Sequence, residues 1–258
     1  MSDTEALRVD TTGDVATITV DRPRKHNALN YRTLEALVAA VDEAEAADAR
    51  VLVLTGAGEE AFVAGADIAA MAEFSTPEAQ AYAELGHRAA RKLETFPAPT
   101  VAAVNGYAFG GGMELALACD LRVAAQNAVF GQTELDLGII PGWGGTQRLP
   151  RLVGDEVARR LIFFGERIDA TDAHEYGLVG EVVAGDQLDD RVETLSAELA
   201  AQPRFALRAA KEALNAANEG SASAGLAHER RAFSGLFGTH DQREGMEAFV
   251  EKRDPEFE

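Results

Sequence analysis

Short apolar runs alternate with stretches of helical periodicity along the first two thirds of the chain. Residues Val15–Val20 alternate apolar and polar side chains, as a half-buried strand does. Asn30 can cap the helix that follows, whose apolar residues recur with helical spacing over 34–41. A continuous apolar run then spans 51–54, which is typical of a buried parallel strand. This strand, helix, strand succession predicts an α/β fold.

The same pattern recurs further along the chain. The predicted elements are a first strand near 7–9 that pairs with Val15–Val20, a helix at 77–96, a strand at 100–104, a helix at 111–118, strands at 121–124 and 128–130, and a last strand at 178–183. From about residue 189 only helices are predicted, at 195–200, 204–217, 222–236 and 243–252. We therefore expect a core domain over residues 1–190 and a helical oligomerisation region over residues 191–258.

The sequence lacks the usual marks of a membrane or secreted protein. No apolar run reaches the roughly 20 residues that a spanning helix needs. Residues 1–5 are acidic and polar, the opposite of a secretory signal. The single cysteine, Cys119, excludes an intrachain disulfide and fits a reducing compartment, and its apolar neighbours predict a small buried side chain. We expect a cytoplasmic protein with no membrane partner.

The charge of the chain limits its partners further. A net charge of -19 argues against nucleic acid or an anionic membrane as a partner. The 24 basic residues include few lysines, namely Lys25, Lys92, Lys211 and Lys252. An acidic, lysine-poor, alanine-rich composition leads to the hypothesis of a halophilic protein from a high-salt cytoplasm. The alternative is an acidic enzyme without any salt requirement.

Several common catalytic and cofactor motifs are absent from the sequence. No dinucleotide-binding glycine motif, phosphate-binding Gly-Lys-Ser/Thr loop, zinc-binding His-Glu-x-x-His or Gly-x-Ser-x-Gly nucleophile elbow is complete. The histidines are scattered along the chain, at His26, His87, His174, His228 and His240. We therefore expect no metal site and no tightly bound cofactor.

A run of three glycines, Gly110, Gly111 and Gly112, lies between a predicted strand and a predicted helix. The first peptide N–H groups of a helix are unpaired, and the helix dipole makes this end positive. Glycine also lets a ligand approach the backbone closely. Such a segment can bind an anion, or an oxygen that becomes anionic during a reaction. The alternative is a tight turn with close packing of helix on strand.

Two glutamates lie beside glycine-rich segments. Glu114 falls on the first turn of the predicted helix, where a carboxylate can simply complement the helix dipole. The rest of that helix is apolar, so burial should raise the pKa of Glu114 and leave it paired or functional. Glu134 precedes the glycine-rich stretch 137–145, and Asp136 is its nearest competitor for an acid–base role. Two such carboxylates could divide acid and base work at one site.

Three segments of the sequence are distinctive, namely Ala64-Gly65-Ala66-Asp67, Asn105-Gly106-Tyr107 with Gly110-Gly111-Gly112, and Pro141-Gly142 with Gly144-Gly145-Thr146-Gln147-Arg148-Leu149. Together they make the sequence resemble the enoyl-CoA hydratase (crotonase) family. The resemblance extends from Ile18 to Arg253. It implies a spiral of repeated β-β-α units with a helical C-terminal region, assembled as a homotrimer or a dimer of trimers.

The resemblance also implies a reaction. In the family, two peptide N–H groups bind the thioester oxygen of an acyl-CoA, and they match Ala66 and Gly111 here. True hydratases carry two glutamates, which match Glu114 and Glu134, whereas isomerases usually keep only the second. The implied activity is that of a hydro-lyase, the reversible syn addition of water to trans-2-enoyl-CoA in fatty acid or short-chain acyl-CoA metabolism. Glu114 would be the base and Glu134 the acid.

Other functions remain open at this point. One is Δ3-Δ2 isomerisation or another crotonase-family reaction, and a less favoured one is a non-catalytic binding homologue. The resemblance assigns coenzyme A contacts to Arg22, Arg24, Lys25, Ala64, Asp67, Ile68, Phe249 and Lys252, the last two contacting the coenzyme A of a neighbouring subunit. For Arg22, Arg24 and Lys25 the alternative is a solvated turn. It assigns the acyl pocket to Pro141, Gly142 and Trp143. The indole of Trp143 either shortens the acyl pocket or serves as a packing anchor.

Overall fold

A computed structural model describes residues 6–218 and 220–258. The strands are β1 Leu7–Thr12, β2 Val15–Val20, β3 Val51–Gly56, β4 Ala61–Val63, β5 Thr100–Val104, β6 Tyr107–Phe109, β7 Leu121–Ala125, β8 Val129–Gly131, β9 Arg167–Asp169 and β10 Glu181–Val183. The α-helices are α1 Tyr31–Ala46, α2 Ile68–Met71, α3 Thr76–Glu94, α4 Gly111–Ala118, α5 Gly145–Val153, α6 Asp155–Phe163, α7 Ala170–Glu175, α8 Leu188–Ala200, α9 Arg204–Ala216, α10 Ala222–Gly235 and α11 His240–Glu251. Short 3₁₀ turns span Pro23–Lys25, Glu134–Leu137 and Gly185–Gln187.

The larger sheet has the strand order β1-β2-β3-β5-β7-β10. Strands β1 and β2 form the predicted antiparallel hairpin, in which Leu7 lies opposite Val20. The remaining neighbours are parallel, and Ile18 of β2 lies opposite Leu54 of β3. The predicted strand, helix, strand unit at the start of the chain is therefore confirmed, with α1 as its crossover helix.

A smaller sheet has the strand order β4-β6-β8-β9. Strands β3, β5 and β7 of the larger sheet are each followed at once by β4, β6 and β8 of the smaller one. A helical segment then returns the chain to the next pair of strands. This repetition is the β-β-α spiral that the resemblance implied. Strands β4, β6 and β9 were not predicted, because each has only three residues, too few to show a strand pattern.

The main hydrophobic core lies among the two sheets and helices α1, α3 and α4, where Phe62, Phe130 and Met113 are fully buried. Cys119 is also buried, as expected, and burial raises the pKa of its thiol to about 12. A second cluster covers the outer face of the larger sheet, where Leu188 of α8 packs on the strands. The predicted boundary near residue 190 therefore falls inside a helix that belongs to the packing of the sheet.

Helix α9 is attached to the core by a buried lysine. The Nζ atom of Lys211 donates to the carbonyl oxygen of Ala98 at 3.0 Å and pairs with Asp120 at 2.7 Å. Asp120 in turn accepts the peptide N–H of Thr100 at 2.7 Å, at the start of β5.

No helix within the described ranges is long and apolar enough to cross a bilayer.

Replacing Lys211 by methionine should destabilise the fold markedly. The Lys211→Met variant keeps the aliphatic stem but leaves Asp120 and a carbonyl without their cation, so we expect the free energy of unfolding to fall by about 3 kcal/mol. Urea denaturation measures the change. Lys92→Met is the matched control, because Lys92 pairs with Asp42 at the surface, where such pairs contribute about 0.5 kcal/mol. Equal losses in the two variants would contradict the anchoring role of Lys211.

Candidate active site

Two loops bring the peptide N–H groups of Ala66 and Gly111 to the same place. Gly65 has a φ of +93°, and a Cβ atom there would lie 3.0 Å from the carbonyl oxygen of Phe109 and 3.8 Å from the nitrogen of Gly111. Within the described ranges no protein acceptor binds the N–H of Ala66 or of Gly111. The two donors are therefore free to bind an oxygen atom of a ligand.

The neighbours of Gly111 explain the rest of the glycine run. Gly110 has a φ of +48°, and a Cβ atom there would lie 2.7 Å from Oε1 of Glu134. A Cβ atom on Gly112 would lie 1.9 Å from the carbonyl oxygen of Val63. Gly110 and Gly112 therefore permit the close packing that the sequence raised as one alternative, while the N–H of Gly111 has no protein acceptor within the described ranges.

Glu114 lies on the first turn of α4 and is only 2% exposed. Its Oε1 atom accepts the peptide N–H groups of Trp143 at 2.7 Å and Gly145 at 2.6 Å. Burial raises the pKa of the carboxyl group, and the N–H groups of Gly145 and Trp143 and the charge of Arg148 oppose this rise. The carboxyl group is therefore held through one oxygen by the loop that precedes α5.

Glu134 opens a 3₁₀ turn after β8 and is 9% exposed. Oriented so that its donor faces acceptors, the Gln132 amide nitrogen donates to both carboxyl oxygens, at 3.0 and 3.2 Å. Burial, followed by the negative charge of Glu114, raises the pKa of Glu134 to about 7. The effect of Glu114 on this pKa, and the closeness of the Glu134 carboxyl group to Gly110 just before α4, indicate that both glutamates lie at one site. Asp136 is exposed and approaches Gly165 instead.

The indole of Trp143 packs directly beneath the peptide donors. A Cβ atom on Gly111 would lie 2.1 Å from Cζ3 of the ring, and one on Gly86 would lie 2.1 Å from Nε1. Tyr82 meets the indole edge to face, with ring centroids 5.6 Å apart. Gly86 and Tyr82 of α3 were not singled out from the sequence, since no local pattern marks a contact with a residue about 60 positions away. Pro141 is buried beside this loop.

Some of the candidate coenzyme A residues lie close to the loop that carries Ala66. Arg24 and Lys25 are exposed on a 3₁₀ turn, and the carbonyl oxygen of His26 binds the N–H of Ala64 at 3.0 Å. Arg22, by contrast, is 8% exposed, donates to the carbonyl of Ala28 and pairs with Asp67 at 3.3 Å. Arg22 and Asp67 therefore brace the loop that carries Ala66.

The remaining predicted residues lie at the surface. Ile68 is 45% exposed next to the Ala66 loop. Phe249 is 86% exposed and Lys252 is exposed at the end of α11, where the N–H of Lys252 donates to the carbonyl oxygen of Phe249 at 3.4 Å. Across residues 6–218 and 220–258, no cluster of histidine, cysteine and acidic side chains has the arrangement of a metal site.

The described site thus combines two peptide donors, one held carboxylate and one carboxyl group with a pKa near neutrality. The donors can stabilise negative charge on an oxygen, and the carboxyl groups can remove and deliver protons beside it. The arrangement suits a reaction that passes through an enolate.

Known proteins share both the sequence and the fold. Residues 10–258 match the family model described as enoyl-CoA hydratase/isomerase. The chain is 44% identical over 243 residues to the short-chain-enoyl-CoA hydratase of Clostridium acetobutylicum, with 93% of each chain covered. It is 43% identical over 246 residues to the crotonyl-CoA hydratase of Syntrophomonas wolfei, with 94% of each covered. The crystal structure of enoyl-CoA hydratase from Bacillus anthracis has a TM-score of 0.93 at 41% identity, covering 98% of this chain and 99% of that one. With its fold and nearly its whole length matched in this way, the protein belongs to the enoyl-CoA hydratase/isomerase family.

Proposed function

We propose that the protein is an enoyl-CoA hydratase that acts on short-chain trans-2-enoyl-CoA thioesters. The thioester oxygen binds between the N–H groups of Ala66 and Gly111, which stabilise the negative charge that develops as water adds to C3. Glu114 removes a proton from the attacking water, and Glu134 delivers a proton to C2. The product is a 3-hydroxyacyl-CoA, and the two glutamates exchange roles in dehydration. Coenzyme A is part of the substrate, and no cofactor is retained.

The pair of buried glutamates beside the free peptide donors is the observation that carries this proposal. Burial raises the pKa of Glu114, and the N–H groups of Gly145 and Trp143 and the charge of Arg148 oppose that rise; a carboxylate with a raised pKa is a stronger proton acceptor, which suits a base. The pKa of Glu134, raised to about 7 by burial and by Glu114, suits a proton donor at neutral pH. The relatives named short-chain-enoyl-CoA and crotonyl-CoA hydratase support the same reaction and chain length.

Hydration of crotonyl-CoA, followed as the loss of enoyl-thioester absorbance, tests the proposal. We expect rapid hydration, and a 3-enoyl-CoA should be converted only slowly to its 2-enoyl isomer. Isomerisation faster than hydration would favour the isomerase alternative. Binding of coenzyme A without any turnover would instead support a binding protein.

Repeating the assay at low and high KCl tests the halophile hypothesis, since full activity and stability without salt would contradict it.

The rate of hydration should fall as the pH rises through the pKa of Glu134. Glu134 must hold a proton to deliver it, and with a pKa raised to about 7 its protonated fraction decreases above neutrality. We expect kcat/KM for crotonyl-CoA to decrease about tenfold for each pH unit above about 8. A stopped-flow pH profile measures this limb. A rate that stayed constant up to about pH 9 would contradict the role of Glu134 as the proton donor.

We further propose that the enzyme is cytoplasmic and works as a homotrimer or a dimer of trimers through residues 191–258. Support comes from the apolar side chains that are more than half exposed on the C-terminal helices and the loop after α10, namely Phe205, Leu214, Leu226, Phe233, Phe237, Met246, Phe249 and Val250. In such an assembly Phe249 and Lys252 would contact coenzyme A in a neighbouring subunit, while Arg24 and Lys25 would bind its phosphates. The net charge of -19 supports the absence of nucleic acid and membrane partners. Light scattering would give the oligomeric state.

A further inference from the structure

A largely buried ion pair lies behind the loop that holds Glu114. Arg148 of α5 binds Glu94, the last residue of α3, through both ends of its guanidinium fork, with Nη2 at 2.8 Å from Oε2 and Nε at 3.3 Å from Oε1. The two side chains are 16% and 31% exposed. A two-point contact of this kind fixes the plane of the guanidinium as well as its position.

The third guanidinium nitrogen of Arg148, Nη1, contacts the loop of Trp143 and Gly144 that precedes α5. Nη1 of Arg148 donates to the carbonyl oxygen of Trp143 at 3.0 Å. Gly144, the next residue, has a φ of +113°, and a Cβ atom there would lie 2.1 Å from the same Nη1. The guanidinium therefore rests against the backbone of the loop, in a space that only glycine leaves open.

The peptide unit that Arg148 holds lies between the two peptide units that bind Glu114. The N–H of Trp143 belongs to the preceding unit and the N–H of Gly145 to the following one, and both donate to Oε1 of Glu114. A rotation of the central unit would turn one or both of these donors away. The orientation of the Glu114 carboxyl group thus depends on the peptide plane that Arg148 fixes.

We propose that Arg148, anchored by Glu94, is a positioning residue for Glu114: it fixes the loop whose N–H groups hold one carboxyl oxygen and so directs the other oxygen to the attacking water. This inference rests on the proposed function, because it requires Glu114 to act as the base. The charge of Arg148 also supports this role, because it opposes the rise in the pKa of Glu114 that burial causes and so favours the ionised carboxylate. The anchor is itself rigid, because Asn215 of α9 donates to the main-chain carbonyl of Glu94 at 2.8 Å.

The first test compares Arg148→Met with Arg148→Lys. Small displacements of a catalytic group can lower the rate by about 10²-fold. We expect Arg148→Met to lower kcat for crotonyl-CoA hydration by about 30-fold while KM changes less than about threefold, since the thioester donors are untouched. Arg148→Lys retains the charge without the fork and should lie between wild type and Arg148→Met. Arg151→Met is the matched control: Arg151 is exposed one turn later on α5, bonds to Gln147, and should leave kcat unchanged.

A double-mutant cycle tests the anchor. Glu94→Gln should lower kcat by about 3- to 10-fold, and the Arg148→Met/Glu94→Gln double variant should match Arg148→Met alone, because both act through one contact. Additive losses, or wild-type kcat in Arg148→Met, would overturn the proposal. If Arg148→Met fails to fold, as judged by circular dichroism, Arg148→Lys and Glu94→Gln decide it by the same split between kcat and KM. Failure of the wild-type protein to hydrate crotonyl-CoA would instead reject the proposed function.

Discussion

Glu114→Gln and Glu134→Gln are each expected to lower kcat for crotonyl-CoA hydration by about 10²- to 10⁴-fold, the range for loss of one acid–base group. Glu114→Gln retains an oxygen that can accept the N–H groups of Trp143 and Gly145 but cannot take a proton from water. Glu134→Gln retains the shape beside Gly110 but has no proton to give to C2. Binding of coenzyme A should be spared in both variants, because neither carboxyl group is assigned a contact with it. Steady-state kinetics and calorimetry measure the two quantities.

Asp136→Asn is the matched control for these variants. Asp136 lies two residues beyond Glu134 in the same 3₁₀ turn but is exposed, so its substitution should leave the rate within about twofold of wild type. Near-normal hydration by either glutamine variant would refute the assigned pair. A rate loss in Asp136→Asn as large as in Glu134→Gln would show that the turn as a whole, rather than one carboxyl group, is sensitive to substitution.

Removal of the Trp143 indole should alter both stability and acyl-chain preference. The ring is 4% exposed and fills the space against Gly111 and Gly86, so Trp143→Ala should lower the free energy of unfolding by about 3 to 5 kcal/mol. The cavity left by this variant would lie against Gly111, one of the two proposed thioester donors, so in the proposed function it lies next to the start of the acyl chain. We therefore expect kcat/KM for an eight-carbon enoyl-CoA, relative to crotonyl-CoA, to rise about tenfold or more, as each accommodated methylene can contribute about 1 kcal/mol.

Denaturation and a series of enoyl-CoAs of increasing length separate the two roles of Trp143. Trp143→Phe retains much of the packing and should lose less stability and gain less activity toward long chains than Trp143→Ala. A variant that is destabilised but keeps the wild-type chain-length profile would identify the indole as a packing anchor alone. Equal efficiency of the wild-type enzyme with long and short chains would also reject the short acyl pocket.

Local patterns in the sequence predicted most of the regular elements. The strand at Thr100–Val104 and the helix at Gly111–Ala118 were predicted with the boundaries that the structure has, because one is a short apolar run and the other starts at a glycine turn. Helix α8 was recognised only from residue 195 although it begins at Leu188. Its early turns carry several acidic residues, and their apolar positions acquire meaning only against the larger sheet.

The sequence indicated candidate site residues, but it did not indicate the distant residues that hold them in place. Glu114 and Gly111 could be selected because a glycine run before an apolar helix leaves a local mark in the sequence, whereas the role of Glu134 came from the family resemblance. The contact of Arg22 with Asp67 could not be predicted, since the two residues lie 45 positions apart; their contact with coenzyme A stays a prediction. The contact of Arg148 with Glu94 spans 54 residues and leaves no local mark either.

The sequence by itself determined the α/β elements, the glycine segments that can expose peptide donors, and the two glutamates, because each depends on residue types within one or two turns of chain. Only the tertiary structure decided how these groups act together. The raised pKa of Glu134, the fixed oxygen of Glu114 and the indole beneath Gly111 all arise from burial and from contacts between distant segments. Such contacts exist only once both sheets have packed, because desolvation and the approach of charges depend on distance in space rather than along the chain.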